Sequence, residues 1–158
     1  MTNSLLSFGL SLCLFLFSLW LPAIGYTDPM SELPGAKTGL VVLEEGMLVA
    51  PVALWKTMTL DEVESAGMIA WFANPVLLLA WMLILSGWRR PALIASRAAF
   101  FLSLLFFVSG DLPLDHTQTM RNTHGSFGFY VWVMSMAAAW YAASKIPPKD
   151  RADPTNVA

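Results

Sequence analysis

The stretch MIAWFANPVLLLAWMLILSGW, Met68 to Trp88, determines how the chain is organised. It contains no Asp, Glu, Lys or Arg. As a helix rising about 1.5 Å per residue, a segment of this length crosses the ~30 Å hydrocarbon core of a bilayer. Trp71 and Trp88 are amphipathic side chains of the kind that prefer the headgroup interfaces. The stretch predicts a membrane-spanning helix, which the pair Arg89 and Arg90 ends on the cytoplasmic side.

Composition points to the same class of protein. Of the 158 residues 56% are hydrophobic and 13% are charged, whereas soluble domains carry about 25% charged residues. We therefore expect a single membrane domain over residues 1–158. The one cysteine, Cys13, lies in an apolar run and has no partner for an intrachain disulfide, so we interpret it as a small buried hydrophobic residue.

Three further segments predict spans, at about residues 5–24, 92–109 and 126–144. Two interpretations of the first of these segments, 5–24, remain open. It has the apolar core of a signal peptide, followed by the small residues Ala23 and Gly25 at the positions that a signal peptidase inspects. No Lys or Arg precedes it, however, and we favour a retained helix.

The charges predict the topology. On the predicted inner side lie six basic and two acidic residues: Arg89, Arg90, Arg97, Lys145, Lys149, Arg151, Asp150 and Asp153. The predicted outer loops are 25–67 and 110–125. They carry only three basic residues, Lys37, Lys56 and Arg121, against nine acidic ones. The positive-inside rule then places both termini in the cytoplasm. The predicted fold is an all-α protein of the bacterial inner membrane with four transmembrane helices and a cytoplasmic tail, 145–158.

The first outer loop is predicted to be partly helical. Residues 40–55 are too interrupted to span and too apolar to be fully solvated, which favours a short helix in the interface. Its exposed carboxylates, with those of a capping-box pattern that begins at Thr59, form a candidate surface for a protein partner. These four residues are Glu44, Glu45, Asp61 and Glu62. A second helix is expected to start at Leu60 and to continue into the 68–88 span.

Two polar features accompany the spans. A proline within a helix leaves the backbone carbonyl one turn earlier without its hydrogen bond. Asn74 and Pro75 therefore predict a kink at which the Asn74 side chain bonds locally. The alternative is that the backbone opened by the kink lines a binding site. Arg97 either extends back to the cytoplasmic interface or forms a buried ion pair.

The second outer loop contains the clustered metal-ligand types. They are Asp111, Asp115, His116 and His124. Their spacing is not a zinc signature, so a solvated loop is the simpler interpretation, and a weak metal or pH-sensing site is the alternative.

Other functional classes find no support in the sequence. We find no phosphate loop, dinucleotide fingerprint or Ser-His-Asp order, which predicts a protein without catalytic residues or cofactor. The basic residues are few and lie beside the predicted spans, which argues against nucleic-acid binding.

Two stretches resemble known proteins. The first is AWFANP, Ala70–Pro75, followed by LLLA, Leu77–Ala80; the second is GFYVWVMSM, Gly128–Met136. They are similar to two of the spans of small four-helix bacterial membrane proteins that are known mainly as uncharacterised families. The resemblance implies the fold and no activity.

The sequence thus predicts a non-enzymatic membrane protein that acts by contact with the lipid bilayer and with another membrane or envelope protein. It would be an accessory subunit or a toxin-immunity protein. The competing hypothesis is a protein that handles a small molecule, an ion or a metal near His116 and His124. A purely structural envelope protein is a third.

Overall fold

The computed structural model describes residues 2–27, 34–48, 66–107, 112–115 and 118–147, with side chains for residues 3–27, 34–48, 69–107 and 124–147. These residues are mostly helical, with one small sheet. The predicted site residues Asp61, Glu62, Asp111 and His116 lie outside the described residues, as do the predicted helix start at Leu60 and most of the tail.

The first helix, α1, covers Thr2–Trp20. It ends there because Pro22 disfavours helical geometry at Leu21, the residue before it, and strand β1 (Pro22–Thr27) follows at once. The span predicted over 5–24 is therefore corrected at its end, since its last residues belong to a strand. Cys13 is exposed, so the prediction that it is buried was wrong.

The segment predicted as one span over 68–88 is two helices. Helix α3 covers Ala66–Trp71 and α4 covers Ala73–Leu85, with a turn at Phe72, whose amide bonds to the Ile69 carbonyl at 3.0 Å. Pro75 has no amide to donate to the carbonyl four residues earlier, and it lies in the first turn of α4, where that loss is tolerated. The interruption thus lies where the proline pattern predicted a kink.

A tight reversal joins α4 to α5, which covers Arg89–Leu104 and continues as a 3-10 turn, Leu105–Phe107. Gly87 has a φ of 71°, a left-handed conformation that glycine adopts without steric cost. The arginine pair was predicted to end the preceding helix, but that helix already ends at Leu85. Arg89 and Arg90 begin α5 instead, three residues before the predicted start at 92.

The last helix, α6, covers Phe127–Ser144 and packs most extensively against α1. Its buried face contains mainly small residues, which lets neighbouring backbones approach closely. They are Gly128, Ser135, Ala139, Ala142 and Ala143, beside the larger Phe129 and Met136. The small residues of α6 thus pack within the chain.

Helices α1, α4, α5 and α6 alternate in direction. Gly128 at the start of α6 lies against Leu21, just after the end of α1, and the Phe106 and Phe129 rings are 4.5 Å apart where α5 ends and α6 begins. We call the end of the bundle where α5 begins and α6 ends the arginine end, and the opposite end the sheet end.

The sheet is built from both segments that were predicted as outer loops. Strands β1, β2 (Pro34–Thr38), β3 (Leu112–Asp115) and β4 (Gln118–Gly125) are ordered β2-β1-β4-β3, and each neighbouring pair is antiparallel. The all-α prediction is corrected accordingly. Residues 39–48 are helical and form α2, so the first predicted loop is partly helical, as expected, and also partly strand.

Two of the described helical segments are long and apolar enough to cross a membrane by length and composition, namely Asn3–Trp20 and Arg89–Phe107. Ile69–Leu85 is apolar but shorter.

Candidate functional site

Helix α2 has one face on the protein and one face exposed. Val42 and Leu43 pack against the two clusters of buried apolar residues, and Gly46 lies against the ring of Trp71. Six of the other side chains are exposed: Leu40, Val41, Glu44, Glu45, Met47 and Leu48. At 100° per residue, Glu44 lies between Leu40 and Leu48 on this face. The predicted partner-binding residues Glu44 and Glu45 are thus accessible.

Two polar contacts hold α2 in place. The Trp71 indole donates a 3.2 Å hydrogen bond to the Leu43 carbonyl. The Lys37 ammonium on β2 lies 2.6 Å from both carboxylate oxygens of Glu45. Lys37 therefore neutralises Glu45, whereas Glu44 has no basic partner within the part of the chain that the structure describes. Leu43 faces the bundle, whereas Leu40 and Met47 are exposed.

The register of the sheet separates two of the predicted metal ligands. Asp115 pairs with Gln118 at one end of the β3–β4 hairpin, and His124 lies six residues further along β4, or about 20 Å at strand rise. Its imidazole lies over Gly25, its partner on β1, where a Cβ would collide with the ring. Within the described residues no three His, Cys, Asp or Glu side chains form a group that could hold a metal ion.

A buried hydrogen-bond network joins α1, α4 and α6. The Trp81 indole of α4 donates to the Ser11 hydroxyl of α1 at 2.9 Å, and Ser11 donates to the Ser135 carbonyl of α6 at 2.7 Å. Ser135 in turn donates to the Trp132 carbonyl at 2.6 Å. The Trp132 indole returns to α4, donating to the Asn74 side-chain oxygen at 2.8 Å.

This network fixes helix positions rather than performing chemistry. Its members are Ser, Asn and Trp side chains, and both hydroxyl protons are donated to backbone carbonyls, so neither serine is activated as a nucleophile. Phe8 and Phe15 hold the Trp81 ring edge-on, with centroids at 6.2 and 5.4 Å. Asn74 therefore bonds to another helix, not locally as predicted.

Sequence reasoning missed this network, although a signal for it exists. Ser4, Ser11 and Ser18 recur every seven residues on α1 and all three are buried, which marks one face of a helix.

Arg97 makes a contact that neither predicted arrangement included. It is exposed, and its guanidinium carbon lies 5.3 Å from the ring centre of Trp140 on α6. A cation over an indole face is attracted by the quadrupole of the ring. Among the described residues the ion pair is Lys37 with Glu45, so Arg97 is held by an aromatic ring and not by a carboxylate.

Comparison with family models, with curated proteins and with solved structures gives no match to this chain. The resemblance to small four-helix bacterial membrane proteins therefore stays a prediction that depends on its two motifs.

Proposed function

We propose that this chain is a multi-pass protein of the bacterial inner membrane, without catalytic activity, that acts by binding another membrane or envelope protein through the exposed face of α2. In this proposal α1, α3 with α4, α5 and α6 are the four spans, and both termini are cytoplasmic.

The distribution of side chains supports the membrane location. Among the described side chains the buried polar residues are six serines and Asn74, and much of the remaining interior is alanine. Large apolar side chains point outward on all four helices, for example Leu6, Met82, Ile94 and Met134, each at least 59% exposed. Small residues inside and large apolar residues outside are the arrangement expected where lipid surrounds a bundle, whereas a soluble protein buries its large apolar residues.

The described charges support the orientation. Arg89, Arg90 and Lys145 lie at the arginine end of the bundle, and Glu44 and Glu45 lie at the sheet end. The positive-inside rule assigns the arginine end to the cytoplasm, and the sheet and α2 then face outward.

The contacts of α1 support its retention. Ser11 accepts the buried indole proton of Trp81, and Phe15 belongs to the main core cluster. Cleavage after this helix would remove both, so we propose that α1 is a span and not a discarded signal peptide.

The observation that carries the proposed interaction is the exposed apolar face of α2 with Glu44 in it. This face is unsuited to lipid alone, because a carboxylate within hydrocarbon is costly. It suits a protein partner that offers apolar side chains and one Lys or Arg, since an opposite charge at an interface stabilises the correct complex and excludes others. An accessory subunit and an immunity protein both meet this description.

The test is co-purification in mild detergent from the native membrane, with a tag after Ala158. We expect a stoichiometric partner with the wild type and loss of that partner with Glu44→Lys. Glu44 is preferable to Glu45, because reversing Glu45 would also break its contact with Lys37.

Ser86→Lys is the matched control, since it places the same new side chain at an exposed position at the opposite end of the bundle. Equal recovery of the partner with Glu44→Lys and with the wild type would overturn the assignment of α2 as the docking face. A protein that purifies alone from the native membrane would overturn the accessory-subunit form.

A further inference from the structure

The arginine end of the α5–α6 pair carries a cluster of cations that the proposed partner surface does not use. Arg97 lies over Trp140 at 5.3 Å, and the Lys145 ammonium lies 4.9 Å from the ring centre of Tyr141. Arg90 is exposed at the start of α5. The buried Nε of the neighbouring Arg89 has no hydrogen-bond partner among the described residues.

No described carboxylate lies near these cations. The acidic side chains that the structure describes are Glu44 and Glu45, and both lie on α2 at the sheet end. An aromatic ring attracts a cation but accepts none of the in-plane N–H donors of a guanidinium. Within the part of the chain that the structure describes, these cations therefore have no anionic partner.

The spacing on α5 allows two arginines to reach one anion. Arg90 and Arg97 are seven residues apart, which places them on one face of the helix about 10 Å apart along its axis. Ile94 and Phe101 lie on the same face and are 70% and 58% exposed. A cationic pair thus alternates with apolar side chains along one exposed stripe.

We infer that this stripe binds an anionic phospholipid of the inner leaflet. The lipid headgroup lies across Ile94, its phosphate accepting hydrogen bonds from Arg90 and Arg97, and an acyl chain continues along Phe101. Arginine binds phosphate through two parallel N–H donors, and Trp140 holds the guanidinium of Arg97 at the depth of the headgroup. This inference depends on the proposed membrane location but not on the proposed partner.

A phospholipid fits the stripe better than a soluble anion does. Inorganic phosphate would use the cations and leave Ile94 and Phe101 exposed, whereas a lipid covers both parts. A carboxylate on the membrane helix of a partner would also pair with Arg97, and the test separates these three cases.

The test uses the purified full chain in dodecyl maltoside, titrated with phosphatidylglycerol, with phosphatidylcholine or with inorganic phosphate. We expect phosphatidylglycerol to raise the Tm by several degrees and to remain bound one to one in native mass spectra, and the other two probes to do neither. Arg97→Gln should weaken phosphatidylglycerol binding at least fivefold. The control, Lys37→Gln, removes a cation at the sheet end and should bind as the wild type does.

Three outcomes would overturn the inference. They are an equal shift with phosphatidylcholine, an equal shift with inorganic phosphate, and unchanged phosphatidylglycerol binding by Arg97→Gln. If Arg97→Gln does not fold, Arg90→Gln replaces it, and unchanged binding by that variant counts equally. The Glu44-dependent partner should co-purify normally with Arg97→Gln, so failure of the lipid site and failure of the partner surface are distinguishable. Loss of that partner with Arg97→Gln would instead assign Arg97 to a protein contact.

Discussion

The Trp132 indole donates a 2.8 Å hydrogen bond to the side-chain oxygen of Asn74, the second residue of α4. Asn74 is 7% exposed, and it lies just after the interruption at Phe72 that separates α3 from α4. The bond therefore fixes the start of α4 against α6 at the point where the helix backbone is broken. The contact between α4 and α6 thus explains why the polar side chain of Asn74 lies beside the proline break.

Asn74→Ala should be strongly destabilising. It leaves the partly buried indole N–H of Trp132 without its acceptor, which costs about 1–3 kcal/mol. The free energy of unfolding, measured by denaturant titration in detergent, should fall by that amount. The double variant with Trp132→Phe removes donor and acceptor together, so its loss should be smaller than the sum of the two single losses. Strict additivity would show that the bond does not couple α4 to α6.

Ser11→Ala should cost more than Ser18→Ala. Both side chains are buried, but Ser18 donates to the Phe15 carbonyl of its own helix, whereas Ser11 is also the acceptor for Trp81. We expect a loss of about 1–3 kcal/mol for Ser11→Ala and less than about 1 kcal/mol for Ser18→Ala. Equal losses, measured by the same titration, would contradict the role of Ser11 as a link between helices.

Asp115 and His124 should not share a metal ion, because the sheet register places them about 20 Å apart. If Zn²⁺ raises the Tm and His124→Ala removes that rise, Asp115→Asn should retain it. Loss of the rise with both variants would contradict the register of the β3–β4 hairpin. A wild-type Tm that does not respond to Zn²⁺ would end the metal alternative for this loop.

The four helices of the bundle, α1, α4, α5 and α6, could be predicted from sequence because each is an apolar run without acidic residues, and three of them contain no charge at all. The sheet could not be predicted in the same way. Its strands are short, and β4, reading QTMRNTHG, lacks the alternation of apolar and polar residues that marks a half-buried strand. Its order also depends on β1 pairing with β4, two segments far apart in the chain. Only the folded backbone brings them together.

The candidate site was predictable in part. The charge pattern indicated Glu44 and Glu45, but only the fold shows that Lys37 pairs with Glu45 and leaves Glu44 on the apolar face of α2. The network through Ser11 and Trp81 joins residues seventy positions apart, so no local pattern contains it.

Gly46→Val should displace α2 from the bundle. A Cβ at Gly46 would collide with the Trp71 ring, and the same ring donates the hydrogen bond to Leu43, so the ring cannot move without losing that bond. Overpacking of this kind costs about 1–3 kcal/mol. Because α2 carries the proposed docking face, co-purification of the partner should fall together with stability.

The matched control is Gly9→Ala on α1, where no atom lies within 4 Å of an added Cβ. It should leave the stability unchanged or raise it, since alanine favours the helix over glycine by about 0.5–1 kcal/mol. A second variant, Gly46→Val with Trp71→Ala, removes the obstructing ring and should recover part of the partner binding. If Gly46→Val retains the partner in full, the position of α2 on Trp71 does not matter for docking, and the recognition surface lies elsewhere on the sheet end.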